Sequence, residues 1–208
     1  MSSDDAASKR SYHHGELRRA MIEATDAILR ENGVEGFSLR EAARRAGVSP
    51  GAPAHHFGNA AGLLTEVAIL GYDELGRYLN AAEPHDATPA SLRALAKAYV
   101  MFALDHSGRF RLMFRKDLVN RSDSRYSQAS RQALTPLARA ATFVYDGHDL
   151  EEAIQTGDYA GIFAAWSTAH GIAHLALEEK LNFATDGDRA QDFLDRLLPA
   201  ILAAQWPG

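Results

Sequence analysis

The chain contains no cysteine among its 208 residues. This absence excludes disulfide bonds, catalytic thiolates and metal sites with cysteine ligands. No apolar run approaches the roughly 20 residues that span a bilayer, and no apolar stretch near the start resembles a signal peptide. We therefore expect a cytoplasmic protein without a membrane segment. Its hydrophobic content of 46% is typical of a globular chain.

An excess of basic residues is also missing, because the net charge is −5. The charge is unevenly distributed along the chain. Residues 1–60 hold 8 Lys+Arg and 8 Asp+Glu, whereas residues 61–208 hold 14 and 19. The excess acid thus lies outside the first 60 residues, and these can still carry a local basic stripe on a neutral domain.

Strand-like alternation and hairpin turn signals are absent, whereas apolar residues recur at helical spacing along most of the chain. We therefore predict an all-α protein. The predicted segments are a disordered arm (1–12), a three-helix helix-turn-helix domain (13–60), a linking helix (60–82) and a larger helical domain (83–208). Within the first domain the helices are expected at about 14–32, 39–46 and 50–56.

The helix-turn-helix prediction depends on residues 37–57, FSLREAARRAGVSPGAPAHHF. Ser38 and Glu41 have the spacing of a capping box, in which each side chain binds the backbone amide of the other residue. Gly47 is typical of a helix end. Ser49 and Pro50 are typical of the N-cap and first residue of a following helix. Two short helices joined by a tight turn are the outcome.

This stretch, with Leu63 and Leu64 after it, resembles the DNA-binding domain of the TetR family of bacterial transcriptional repressors. The matching features are the pair Ala42-Ala43, the run Ala46–Ser49 and the pair His56-Phe57. Further along, the run 166–171, WSTAHG, resembles the Trp-His-Gly subgroup of the family's C-terminal domains. The resemblance implies a homodimeric repressor that binds a palindromic double-stranded DNA operator and releases it when a small-molecule effector binds. No cofactor is implied.

Carried over by position, the resemblance places the DNA contacts on a short set of residues around the turn. They are Ser38, Arg40, Ser49, Pro50, Gly51, Ala52, His55, His56 and Asn59. Arg40 is the strongest base reader among them, because the third helix (50–56) offers no Arg, Asn or Gln. Three residues depart from the family pattern: Ala54 replaces a frequent Tyr, Ala60 replaces a usual Lys, and Pro53 should delete one bond of the third helix.

For the effector, the larger domain offers aromatic side chains and two polar histidine tips in an apolar setting. The predicted pocket residues are Phe102, His106, Phe110, Phe114, Phe143, Trp166 and His170. Packing in the core is the alternative for each of them. An apolar or aromatic effector with one or two hydrogen-bonding groups fits such a lining.

A helix starting near Asp158 is rich in Ala and Gly and apolar nearly all round, so it needs cover on most faces. A second apolar stripe follows, in which Pro199 should kink or weaken the helix. Two such helices from each subunit would form a four-helix dimer interface. The predicted interface residues are Ala165, Ala169, Ile172, Phe193, Leu197 and Ile201.

A different class of function remains open, namely a helical metal- or small-molecule-binding protein or enzyme whose helix-turn-helix is vestigial. His170, His174 and Glu178 share one helical face at a spacing that suits a metal, although packed histidines show the same spacing. We predict no metal site and no catalysis. The sequence lacks a Gly-rich phosphate loop, a Ser-His-Asp set and paired carboxylates at recognisable spacing.

Overall fold

The computed structural model describes residues 4–82, 86–147, 149–181, 184 and 189–208. Every regular secondary-structure element in these ranges is helical, which confirms the all-α prediction. The elements are α1 (Asp4–Asn32), α2 (Leu39–Arg45), α3 (Ala52–Phe57), α4 (Ala60–Ala82), α5 (Pro89–Asp105), α6 (Ser107–Met113), α7 (Ser124–Asp146), α8 (Leu150–Thr156), α9 (Ala160–Leu177), α10 (Arg189–Asp192), a π-helical turn (Phe193–Leu197) and α11 (Leu198–Gln205). None of the described helices combines the length and apolar character needed to cross a membrane.

The chain divides into two compact units. The N-terminal unit comprises Met1–Gly71 and Gly108–Gln128, and the C-terminal unit comprises Tyr72–Ser107 and Ala129–Gly208. This division differs from the predicted one in two ways. The boundary falls inside α4, and the segment Gly108–Gln128 packs with the helix-turn-helix instead of with the C-terminal residues.

The N-terminal unit is built around α1, α4 and α6. Met21 and Ile28 from α1, Leu63 from α4 and Phe110 from α6 are fully buried. Arg109 on α6 makes a two-bond ion pair with Asp26 on α1, in which its Nε lies 2.8 Å from Oδ1. Buried apolar contact and this ion pair together hold most of α6 against α1.

Helix α1 begins at Asp4, ten residues before its predicted start. Residues 4–12 of the predicted disordered arm therefore continue the helix. The sequence from Asp4 to Lys9 contains no glycine or proline that would stop a helix, which agrees with this early start. Residues 1–3 of the predicted arm lie outside the described residues.

In the C-terminal unit, α5 packs against α9 and α11. Leu92, Leu95, Tyr99 and Ala103 form the inner face of α5 and are fully buried. Thr88 caps this helix in a reciprocal capping box with Ser91. Residues 83–85, between α4 and this cap, lie outside the described residues.

The predicted irregularity at Pro199 lies before the proline. Residues Phe193–Leu197 form a π-helical turn, in which the N–H of Leu198 donates to the carbonyl of Phe193, five residues earlier. Pro199 has no N–H, and its ring crowds the carbonyl four residues before it. A wider turn relieves this crowding, so the helix continues to Gln205.

Candidate nucleic-acid interface

Helix α2 is positioned by its N-cap and by its small buried face. Ser38 Oγ accepts the backbone N–H of Glu41 at 3.2 Å, and Ala42 and Ala43 are buried. The other half of the predicted capping box is wrong. The Glu41 carboxylate binds Arg44 and Arg45 on the next turn, because two guanidinium groups are stronger partners than one backbone amide.

The turn between α2 and α3 closes by a regular helix-ending motif. Gly47 adopts φ +68°, a conformation that costs glycine little. Its N–H donates to the carbonyl of Arg44, and the N–H of Val48 donates to that of Ala43, at 3.2 and 3.0 Å. These two hydrogen bonds confirm Gly47 as the end of α2 and fix the direction in which the chain leaves the helix.

Helix α3 begins at Ala52, two residues later than predicted. Ser49 is not its N-cap: the carbonyl of Ser49 accepts the N–H of Ala52 at 3.0 Å, so 49–52 form a turn before the helix. Pro53 therefore occupies the second helical position, where a backbone N–H has no partner within a helix. The predicted loss of a helix bond at Pro53 is wrong for this reason.

The start of α4 lies against the end of α3. Asn59 Oδ1 accepts the N–H of Gly62 at 3.0 Å, so Asn59 is the N-cap of α4. A Cβ built at Gly62 would overlap the backbone carbonyl oxygen of Phe57. Gly62 therefore permits an approach between α3 and α4 that no other residue type would allow.

The predicted DNA contacts lie together around this turn and are accessible. Those exposed are Ser38, Arg40, Ser49, Pro50, Gly51, His55 and Asn59, whereas Ala52 and His56 are partly buried. Ser38 and Asn59 are the N-caps of α2 and α4, and Ser49 lies in the turn, where DNA phosphates can also meet backbone amides.

The arginines of α2 differ in their availability. Arg44 binds Glu41 through two nitrogens at 2.7 and 2.8 Å, and Arg45 bridges Glu41 and Glu31. Hydrogen bonds from Arg44 and then Arg45 lower the pKa of Glu41 to about 2. Arg40 is exposed and has no hydrogen-bond or ion-pair partner in the part of the chain that the structure describes. It is therefore the arginine of α2 that is free to reach a base edge.

The sequence did not reveal the charge of the folded unit. The N-terminal unit holds 14 Lys+Arg and 11 Asp+Glu, a net charge of +3, and the C-terminal unit holds 8 and 16, a net charge of −8. The difference from the neutral residues 1–60 comes from Gly108–Gln128, which adds six basic and two acidic residues, and from Glu66, which adds one negative charge. Their clustering is visible in the sequence, but their place beside the helix-turn-helix depends on tertiary structure.

The seven predicted pocket residues fall into separate groups. Phe110 and Phe114 belong to the N-terminal unit, with ring centroids 5.3 Å apart. In the C-terminal unit, Phe102 and His106 form one aromatic cluster with Tyr78. Trp166 and His170 belong to a second cluster, described next. Phe143 is exposed over 54% of its surface.

The second cluster is a hydrogen-bonded network around Tyr99. The hydroxyl of Tyr99 accepts from Trp166 Nε1 at 3.2 Å and lies 2.8 Å from His170 Nδ1. Burial raises the pKa of Tyr99. Burial, followed by the charge of His174, lowers the pKa of His170 to about 4. Among the described residues no group of three or more His, Asp or Glu side chains is placed to hold a metal ion.

An open groove of about 420 Å³ lies on the C-terminal unit between α4 and α5. Its lining is mostly apolar: Tyr78, Ala81, Ala82, Ala98 and Met101, with Glu74 and Arg77 as the charged members. Tyr78 connects the groove with two predicted pocket residues, because its ring packs edge-on against Phe102 and His106. The Tyr78 hydroxyl donates to Asp105, which raises the pKa of Tyr78 to about 12.

Four of the predicted dimer-interface residues are not on the surface. Ala165, Ala169, Ile172 and Phe193 are buried within the single chain. Helix α9 packs against α5, so its inner face is already covered and cannot meet a second subunit. Leu197 and Ile201 are partly buried.

The outer face of α9 is apolar as well. Phe163 and Leu175 are exposed over 55% and 46% of their surfaces, and the small residues Ala164 and Gly171 are exposed near them. The prediction that this helix is apolar nearly all round is thus confirmed, but the surface left for a partner is the face opposite the predicted one.

Comparison with known proteins identifies the family. Residues 21–67 match the family described as bacterial regulatory proteins, tetR family, and residues 92–201 match the tetracyclin repressor-like C-terminal domain. The second match covers more than half of the chain and does not confirm the Trp-His-Gly subgroup. No curated protein matches the chain.

Solved structures agree with this assignment. A protein of unknown function from Rhodococcus sp. RHA1 is 32% identical, with 94% of this chain and 96% of that chain covered and a TM-score of 0.69. A candidate tetR family regulator from Shewanella sp. PV-4 is 20% identical over 91% and 96% of the two chains, with a TM-score of 0.63. The multidrug binding protein EbrR, solved with imidazole, is 16% identical over 92% and 95%, with a TM-score of 0.53. The last two likenesses concern the fold alone. From the family matches, the chain belongs to the TetR family of bacterial transcriptional regulators.

Proposed function

We propose that this protein is a cytoplasmic, homodimeric repressor that binds a palindromic operator and leaves it when a small molecule binds the C-terminal unit. The observation that carries the proposal is the accessible helix-turn-helix, on which Arg40 has no partner among the described residues. The net charge of +3 on the unit that carries it favours the same partner. A cationic surface attracts the DNA backbone, and a free arginine can read guanine in the major groove.

A dimer supplies two such surfaces. Its interface in this proposal is the outer face of α9, where Phe163 and Leu175 would otherwise remain in water. Full burial of such a side chain contributes about 1.5–3 kcal/mol, and covering the exposed half of each contributes roughly half of that. A two-fold axis beside α9 would bring the same face of both copies of the helix together, and the small exposed residues Ala164 and Gly171 would let the two helices approach closely.

The proposed effector site is the groove between α4 and α5. Its volume of about 420 Å³ lies within the range of small-molecule sites. Its apolar wall, with Tyr78 and the cation Arg77, suits an apolar or aromatic molecule that carries one acceptor group. EbrR, a structural neighbour, gives a precedent for small-molecule binding on this fold.

Selection of genomic DNA tests the proposal. The purified protein is mixed with sheared genomic DNA, and the retained fragments are sequenced. A shared inverted repeat is expected, with half-site centres about 34–36 Å apart, because the two recognition helices of a dimer contact successive major grooves. Retained fragments without a common inverted repeat would contradict binding as a sequence-specific dimer.

The effector part needs a separate measurement, namely the affinity of a candidate molecule with and without saturating operator. Operator release requires that the molecule bind more tightly to the free protein than to the protein on DNA. By linkage, the operator weakens binding of the molecule by the same factor by which the molecule weakens binding of the operator. Equal affinity in both conditions would show that the molecule is not an inducer. Met101→Trp, which fills part of the groove, should weaken binding of the molecule and leave the affinity for the operator unchanged.

A further inference from the structure

The loop between α6 and α7, Phe114–Asp123, is a feature of the N-terminal unit that the helix-turn-helix does not explain. We refer to it as the basic loop. It contains Arg115, Lys116 and Arg121 against two aspartates, Asp117 and Asp123. It follows the helix that packs on α1 and precedes Arg125 at the start of α7. The whole segment belongs to the unit that carries the DNA-binding helices.

Two contacts tie the basic loop to elements near the predicted DNA contacts. Arg115 Nη1 donates to Glu35 Oε1 at 2.7 Å, three residues before Ser38. The backbone N–H of Asn120 donates to Thr65 Oγ1 at 2.8 Å. Thr65 is buried, and its hydroxyl donates to the carbonyl of Ala61 at 2.7 Å. The Thr65 hydroxyl, which both accepts and donates a hydrogen bond, therefore fixes the loop to the first turns of α4.

Just beyond the loop, Arg125 strengthens this attachment. Arg125 Nη2 lies 2.7 Å from Glu66 Oε1, and Arg18 on α1 binds the other oxygen of the same carboxylate. Glu66 is 14% exposed, so the two ion pairs are partly shielded from solvent and salt. One acidic residue of α4 thus joins α1, α4 and the start of α7.

Five of the six cations between Gly108 and Gln128 divide into two kinds. Arg109, Arg115 and Arg125 are engaged with carboxylates of the unit. Lys116 and Arg121 are exposed and have no hydrogen-bond or ion-pair partner within the described ranges. The first kind attaches the segment, and the second kind leaves two uncompensated positive charges in solvent.

We propose that the basic loop is an auxiliary phosphate-binding surface, in which Lys116 and Arg121 contact the DNA backbone outside the sequence read by α3. Arg121 follows Asn120 directly, about 3.8 Å along the chain. Asn120 itself is bound to Thr65, one helical turn after Ala61 in the first turn of α4. The proposal rests on DNA binding by this protein and adds a contact surface to it. Such contacts raise affinity and salt dependence without reading sequence.

The test compares two charge-matched double variants. Lys116→Ala with Arg121→Ala removes the free cations of the basic loop. Lys97→Ala with Arg131→Ala removes one lysine and one arginine that are exposed in the C-terminal unit. The probe is a fluorescent B-form DNA duplex of mixed sequence, and its affinity is measured over a series of KCl concentrations. Each lost phosphate contact lowers the slope of log K against log salt by about 0.9.

The loop variant is expected to lose about two units of slope relative to wild type, and the C-terminal variant none. Arg121→Lys should keep the slope, because a phosphate contact needs the charge and not the guanidinium geometry. Equal slopes for the two double variants would overturn the basic-loop contact. So would an Arg121→Lys protein that binds the duplex as weakly as Arg121→Ala does. Wild-type protein without salt-dependent DNA binding would instead contradict the proposed function itself.

Discussion

The hydroxyl of Tyr99 lies 2.8 Å from Nδ1 of His170 and also accepts the indole N–H of Trp166. Tyr99 is fully buried on α5, and the other two residues project from α9. One phenol thus joins the two helices that form the centre of the C-terminal unit. The apolar contacts between these helices are non-directional, whereas the network selects one register of α9 on α5.

Tyr99→Phe should destabilise the protein by about 0.5–1.5 kcal/mol, because it removes the hydroxyl that bonds Trp166 and His170, two partly buried side chains. Urea unfolding followed by circular dichroism measures the change. Tyr159→Phe is the matched control, since Tyr159 is exposed and should change little. Equal stabilities of the two variants would show that the network does not fix α9.

His170 gives a prediction about pH. Its pKa falls from an ordinary 6.5 to about 4 in the folded protein, so the unfolded chain binds the proton more readily between these values. Its contribution to the free energy of unfolding is therefore complete above about 6.5, falls as the pH is lowered, and levels off below about 4. The pH dependence of unfolding should be weaker in His170→Gln over this window. His55→Gln, at an exposed site, should keep the dependence of the wild type.

The helix-turn-helix was predictable because its signals are local. Ser38 and Gly47 act within three or four residues of their own positions, so the sequence alone indicated their roles. The start of α3 was misplaced because proline is equally acceptable at the first and second helical positions. The hydrogen bonds of Glu41 were predicted wrongly because the Ser38 amide and the guanidinium groups of Arg44 and Arg45 are all within reach of its carboxylate. The spacing of residues does not show which of these donors it binds.

Tertiary placement was harder to predict. An apolar helix such as α9 has the same sequence pattern whether a face is covered by its own chain or by a second subunit. Ala165 and Ala169 illustrate this ambiguity, because α5 of the same chain covers them. The basic segment Gly108–Gln128 is similar. Its charges are obvious in the sequence, but only the contacts of Arg109 and Arg115 place it with α1 and the turn before α2.

Gly62→Ala should reduce DNA affinity without unfolding the protein. The added methyl group would overlap the carbonyl oxygen of Phe57, so α3 must move relative to α4. The C-terminal unit contains neither residue and should remain intact. Affinity for selected genomic fragments is the measurement. Gly15→Ala, which adds a methyl group to open space on α1, serves as the control. Operator affinity equal to the control's would mean that α3 and α4 tolerate the displacement.

Arg40→Ala should cost about 1–3 kcal/mol of operator binding and relax the preference at one base pair, as expected for a side chain that reads a base edge. Arg44→Ala is the comparison on the same helix, and its guanidinium is held by Glu41. It should change affinity less and leave sequence preference unaltered. Binding to a library of single-base operator variants at one salt concentration distinguishes the two. Unchanged preference at every position in Arg40→Ala would remove Arg40 from base recognition.

Phe163→Asp tests the dimer face. Phe163 is exposed over 55% of its surface in one chain, so the substitution leaves the fold of the subunit intact. In a dimer formed through this face, the aspartate of each subunit would be buried without an ionic partner, and this cost would oppose association. Sedimentation equilibrium should therefore give a folded monomer. Met101→Asp changes an exposed apolar residue on α5 in the same way and should remain dimeric. A fully dimeric Phe163→Asp protein would place the interface away from the outer face of α9.

The monomer should also bind the inverted repeat more weakly than the dimer does. Each half-site binds one helix-turn-helix, so a monomer loses the gain in affinity that comes from two linked contacts. It should retain weak, salt-dependent binding to mixed-sequence DNA.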